Sequence, residues 1–278
     1  MQIEAFVPFV TYPQSNSHAC ATHAASFAAR IGATLHAVAI NADIPDISNP
    51  LSTWLLDTPA LIRQAEAASR QRGEHLLARL KVKADELGVA IETTAVTAPI
   101  AMLGEVAASR ARYFDLGLVG WEAGNATSRM TAETVIFGSG RPTILLPELS
   151  DTLALDHLAI AWDGSRVAAR ALADAGVLLQ RASHISVITV HDEKPLPEKD
   201  IGERLTAMLR RRGHSAEAVP VNAEDCPIAE SLQQTAIEHG AGLLVMGGYG
   251  HSRLRDFVLG GATDGVLRDL LLPVLISH

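Results

Sequence analysis

The run Leu243-Leu244-Val245-Met246-Gly247-Gly248-Tyr249-Gly250-His251-Ser252-Arg253-Leu254-Arg255-Asp256-Phe257-Val258-Leu259-Gly260-Gly261-Ala262-Thr263 fixes the architecture of the second half of the chain. Its first four residues are apolar without alternation, the pattern of a strand covered on both faces. Such a strand belongs to a parallel sheet with helices on either side. The glycines that follow end the strand, and the segment leads to a helix beginning near Thr263.

Working outward, short β-rich runs alternate with longer helix-like segments. Strands are expected at His157–Trp162, Ile185–Val190, Ala216–Val221, Leu243–Gly247 and Pro273–Ser277. Helices are expected near Val167–Gln180, Glu198–Arg212, Ile228–His239 and Thr263–Leu270, each with apolar residues three and four apart. This rhythm reads as a doubly wound α/β fold with right-handed connections.

The first half repeats the plan. Pro99-Ile100-Ala101 matches Pro227-Ile228-Ala229, Ala33–Ile40 matches Ser183–Val190, Leu116–Gly120 matches Leu243–Gly247, and Pro142–Leu146 matches Pro273–Ile276. An extra segment near Asp43–Gln71 reads as a loop plus an added helix. The expectation is two tandem domains, 1–149 and 150–278, joined near Glu148–Leu155.

The 278 residues are 48% hydrophobic and 19% charged, enough to bury cores and unlike a disordered polymer. A formal net charge of −8 argues against general attraction to nucleic acid. Two distant cysteines, Cys20 and Cys226, suit a reducing compartment and exclude a disulfide scaffold, so a cytoplasmic location is expected. Neither a secretion signal nor an apolar run of membrane-spanning length is visible, so no membrane partner is expected.

Locally, the glycine segment has two readings. Gly247 and Gly250 could admit a ligand to the main chain, and Gly260 and Gly261 could present N–H groups to a phosphate near a helix start. The same glycines could simply form turns. The G-x2-G-x9-G spacing of Gly247, Gly250 and Gly260, with Asp163 after the first strand of this half, resembles the universal stress protein family. The resemblance covers the second half well and the first more faintly. It implies a strand order of 3-2-1-4-5 in each half, ATP (or ADP or AMP, with Mg2+) as ligand, and pairing of the halves through Pro142–Leu146 and Pro273–Ser277 as an intramolecular pseudo-dimer.

Carried onto this sequence, the resemblance puts Asp163 at the adenine, flanked by Ala161 and Trp162, with Asp192 at the neighbouring strand end. Met246 leads into the segment. Gly247 and Gly250 would approach ribose and phosphate, while Gly260, Gly261, Ala262 and Thr263 would supply main-chain donors and a hydroxyl. His251, Ser252 and Arg253 could meet the ligand or only shape the loop. The family commonly has Ser or Thr where this chain has Gly261, a loss of about 0.5–1.5 kcal/mol if one hydrogen bond disappears.

The first half has Thr11-Tyr12-Pro13 in place of Asp163-Gly164-Ser165, and Glu122 would repel a nearby phosphate. This half is therefore expected to bind no triphosphate. His18, Cys20 and His23 do not complete a metal-ligand set, and Arg210-Arg211-Arg212 suit a helix C-terminus. No P-loop, zinc-protease or nucleophile-elbow motif occurs, so no catalytic residue is assigned and at most slow ATP hydrolysis is expected. The implied function is stress-linked nucleotide binding with a signalling or protective role, and with a homodimer or a protein as further partner. The alternatives are a nucleotide-independent adaptor and an ATP-dependent enzyme of related fold.

Overall fold

The computed structural model describes residues 2–45, 57–148, 155–192, 196, 198–222, 226–248 and 261–278. By its contacts the chain divides into two compact units, Met1–Arg141 and Pro142–His278.

In the first unit the elements are β1 (Ile3–Val10), α1 (His18–Ile31), β2 (Ala33–Asp43), α2 (Thr58–Leu87), β3 (Ile91–Pro99), a short 3-10 turn (Ile100–Met102), α3 (Leu103–Ala111), β4 (Leu116–Trp121) and α4 (Ala126–Gly138). The strands lie side by side as β3-β2-β1-β4, all paired in parallel. Phe6, Phe9, Phe27, Leu35, Ile40, Leu76 and Leu80 are fully buried among them. The added helix of the extra segment is α2, which continues through the helix of the shared plan as one 30-residue rod. Asp57 starts it by accepting the Ala60 N–H at 3.1 Å, and Gly88 in the left-handed region ends it. Gly73 lets this rod lie close to β2: a Cβ there would stand 2.7 Å from Asn41 Oδ1 and 2.9 Å from the Ala39 Cβ.

The second unit contains β5 (Thr143–Pro147), β6 (His157–Ala161), α5 (Arg166–Asp174), α6 (Gly176–Leu179), β7 (His184–Val190), α7 (Ile201–Arg211), β8 (Ala216–Val221), α8 (Ile228–Glu238), β9 (Leu243–Gly247), α9 (Ala262–Val266) and β10 (Val274–Ser277). Its order is β8-β7-β6-β9-β10-β5. The repeat's own five strands are parallel and run 3-2-1-4-5, as the family resemblance implies. The strand near Pro142–Leu146 pairs with the last strand, antiparallel, with Val274 opposite Leu145 and Ile276 opposite Thr143. That pairing groups β5 with the second unit, whereas the sequence repeat assigns it to the first half.

Two helices are shorter than their periodicity suggests. The segment Val167–Gln180 is divided at Ala175–Gly176, where glycine carries the largest conformational cost in a helix short of proline. The last helix stops at Val266 because buried Gln233 of α8 captures the chain beyond it, donating to the Asp269 carbonyl at 2.9 Å and accepting the Leu271 N–H at 2.9 Å. Among the described residues, no helix is long and apolar enough to cross a membrane.

Candidate functional site

In the second unit the direction of winding reverses between β6 and β9, which pair with Leu158 beside Leu243 and Ile160 beside Val245. Segments leaving the carboxyl ends of these two strands therefore emerge next to each other, where open α/β sheets bind ligands. From β6 come Trp162 and Asp163, and from β9 come Gly247 and Gly248.

The β6 segment is a tight turn built by its own polar atoms. Trp162 continues the ladder by donating its N–H to the Ile188 carbonyl at 2.9 Å. Asp163 Oδ1 accepts the Ser165 N–H at 2.9 Å across Gly164, whose φ of 74° is in the left-handed region. Ser165 Oγ then accepts the Ala168 N–H at 3.2 Å and caps α5. Asp163 thus holds the turn, and its half-buried carboxylate lies at the sheet's carboxyl edge. Ala161 and Trp162 are likewise half-buried, and Asp192 is exposed just beyond β7.

On the β9 side, Gly247 has a packing role. A Cβ there would lie 2.5 Å from the Val167 carbonyl carbon and 2.6 Å from the Ala168 nitrogen, inside the first turn of α5. Its φ is not in the left-handed region. Gly248 donates its N–H to the Ser277 carbonyl at 2.8 Å and accepts from His278 Nδ1 at 2.9 Å. Met246 is 3% exposed and Thr263 4%, so neither side chain is presented to solvent. Gly261 precedes α9 with φ −67° and ψ 165°, the extended geometry of an N-cap, but it has no side chain to cap with. Ala262 follows, half-buried. Gly250, His251, Ser252, Arg253 and Gly260 lie outside the described residues.

The corresponding place in the first unit is filled by a side chain. Glu122, just after β4, accepts the Ser17 N–H at the N-terminus of α1 and the Cys20 thiol at 3.2 Å on Oε1, and the Asn125 amide at 3.0 Å on Oε2. Asn16 Nδ2 also reaches Oε1 at 3.4 Å. Burial pushes the Glu122 carboxyl up, but the bonds from Ser17, Asn125, Cys20 and Asn16 outweigh it and hold the group below its ordinary range. The first unit's crevice therefore carries its own anion. Cys20 belongs to this network, and among the described residues no group of three or more His, Cys, Asp or Glu is placed to hold a metal ion.

The two units share one device that sequence spacing disguises. Gly120 at the end of β4 faces Cys20, three residues after the Ser17 cap, as Gly247 faces Ala168, three residues after the Ser165 cap. Superposing the repeats by sequence aligns Gly120 with Gly247, and that is the signal by which the packing role could have been found.

The universal stress protein family model matches residues 155–278. The universal stress protein Slr1230 of Synechocystis is 28% identical over 147 residues, 51% of this chain, and the match spans about half (49%) of that relative's length. A universal stress protein from Archaeoglobus fulgidus has the same fold over 98% of this chain and 96% of its own, with a TM-score of 0.69 at 15% identity. A universal stress protein solved in complex with cAMP is 26% identical, covering 44% of this chain and 96% of its own, with a TM-score of 0.37.

Proposed function

The chain belongs to the universal stress protein family through its C-terminal half, and from that premise we propose that it is a cytoplasmic stress-response protein that binds an adenine nucleotide of the ATP type in its second unit. Its role is signalling or protective, with a second copy of the chain or another protein as the partner that reads the bound state. The observation that carries the reading is the contrast between the units at one topological position. After β4 the first unit brings the Glu122 carboxylate across to the Ser17 N–H at the start of α1, whereas in the second unit the equivalent Ser165 N–H is met by Asp163 from its own turn, and the residue aligned with Glu122 is the uncharged Tyr249. The first half carries a carboxylate on the β4 side of its crevice, and the sequence places none at the aligned position of the second.

The residues of the second unit fit a nucleotide in kind. The Asp163 carboxylate lies at the sheet's carboxyl edge, where it can accept from a base or ribose. Gly261 and Ala262, the N-cap and first residue of α9, offer main chain without bulky side chains to a phosphate. A nucleotide would supply the polyanion and this chain the orientation, and Mg2+ would arrive with the triphosphate. The N-terminal half, 1–149, acts as a structural partner that binds no triphosphate.

A second reading, a nucleotide-independent adaptor, is favoured by the packing role of Gly247, because a glycine needed against α5 says nothing about a ligand. Calorimetric titration of the full chain with ATP, ADP, AMP and cAMP separates the two. The nucleotide reading expects one equivalent per chain and weaker binding in Asp163→Ala. An absence of heat with every nucleotide at millimolar concentration would leave the adaptor.

A further inference from the structure

The corner between the outer strands and the central helix is bridged by side chains in the second unit and open in the first. Strand register makes the two corners comparable. His36 lies between Phe6 and Glu92 on neighbouring strands, as Ser186 lies between Ala159 and Glu217. In the second unit Glu217 Oε1 accepts from Ser186 Oγ at 3.0 Å and meets His239 Nδ1, at the end of α8, at 3.2 Å. The outer strand is thereby tied to the helix end. In the first unit Glu92 Oε2 instead faces His36 Nδ1 at 3.3 Å, and Glu4 meets the other ring nitrogen. Among the described residues no side-chain bond ties Glu92 to α3 or to the turn after it, and a cavity of about 560 Å³ stands there.

The lining is aromatic on one side and cationic beside it. Phe114 stacks on the buried Phe6 ring with 5.2 Å between centroids and 14° between planes, and its centroid is 4.8 Å from that of His36. Tyr113, 85% exposed, stands at the lip. Arg110 is half-buried against the cavity, and its guanidinium makes no hydrogen bond or ion pair among the described residues. Arg112 donates from Nε and Nη2 to the Gly138 carbonyl at 3.2 and 3.0 Å, which satisfies donors without neutralising the charge. The Glu92 side chain is 78% exposed and already engaged by His36, so water and the imidazole meet its charge. The charge left without a counterpart at the cavity is positive.

We propose that this cavity is a binding site for a small aromatic carboxylate, with the ring against Phe114 and Tyr113 and the carboxylate on Arg110, beside Arg112. A guanidinium holds a carboxylate through two parallel N–H bonds, and an aromatic wall takes a planar ring in offset or edge contact. The volume lies in the range of about 300–1,000 Å³ usual for small-molecule sites. The site belongs to the first unit and needs no nucleotide in the second.

The test is calorimetric titration of the full chain with indole-3-carboxylate and with its neutral isostere, indole-3-carboxamide. The carboxylate is expected to bind at least about tenfold more tightly than the carboxamide, and Arg110→Gln should lower its affinity by about tenfold and bring the two ligands level. Tyr113→Ala should weaken both ligands by about threefold. Saturating ATP should leave the titration unchanged. Equal binding of the two ligands, no heat from the carboxylate at millimolar concentration, undiminished binding in Arg110→Gln, or competition by ATP would each overturn the proposal. Should Arg110→Gln fail to fold, backbone amide shifts of the wild type decide it: perturbations by the carboxylate centred on Arg110, Tyr113 and Phe114 support the site, and perturbations centred elsewhere refute it.

Discussion

Replacing Gly247 by alanine separates a glycine that packs from one that only admits a ligand. The new Cβ would stand 2.5 Å from the Val167 carbonyl carbon, 2.6 Å from the Ala168 nitrogen and 2.7 Å from Val167 Cγ2. Favourable carbon contacts lie near about 3.5–4.0 Å, so α5 must withdraw by about 1 Å. Two of the three obstructing atoms are backbone, so a rotamer change alone cannot relieve the clash. Overpacking of this kind costs about 1–3 kcal/mol. The second unit spans Pro142–His278, a size at which each kcal/mol lowers the midpoint by about 3–5 °C. The expected fall in thermal midpoint for Gly247→Ala is therefore about 3–15 °C, followed by differential scanning calorimetry of the full chain. Because α5 starts at the Ser165 cap, two residues after Asp163, its withdrawal should weaken nucleotide binding in the same variant. A variant that keeps the wild-type midpoint and loses only nucleotide affinity would refute the packing account.

Other substitutions test the remaining physical claims. Glu122→Gln weakens the acceptor for Ser17, Cys20, Asn16 and Asn125 and should cost the first unit about 1–3 kcal/mol near neutral pH, measured by chemical denaturation. Since the Glu122 carboxyl is held below its ordinary value, its contribution is present above 4.5 and lost as pH falls further; Glu122→Gln should remove that part of the acid transition. Gly73→Ala should destabilise despite a helix-propensity gain of about 1 kcal/mol, because its Cβ would meet Asn41 Oδ1 at 2.7 Å and Ala39 Cβ at 2.9 Å; a raised midpoint would refute this. Gly176→Ala meets nothing within 4 Å and should stabilise by about 0.4–1 kcal/mol, read from the same melts.

The fold was legible because central strands such as β4 and β9 are unbroken apolar runs and the helices keep a 3.6 period, so the alternation survives without tertiary information. The strand order came from the family resemblance and is the order found in the second unit. The length of α2 was hidden because Gly73 sits in its middle, and glycine in a sequence reads as interruption until the neighbouring Asn41 and Ala39 show why it is there. The candidate site was legible in part. Asp163 is at the switch point, yet its bond to the Ser165 N–H is a local turn that spacing alone could not separate from ligand contact. Gly247 was read as an approach for ligand, while Met246 and Thr263 are buried. Glu122 was read as repelling phosphate, but the structure goes further and makes it the anion that α1 receives.

The most direct measurement is native mass spectrometry of the full chain purified without added ligand, followed by saturation with ATP. One nucleotide per chain, retained in Glu122→Gln and lost or weakened in Asp163→Ala, is the predicted result. A stoichiometry of zero or two per chain would contradict the assignment of a single site to the second unit.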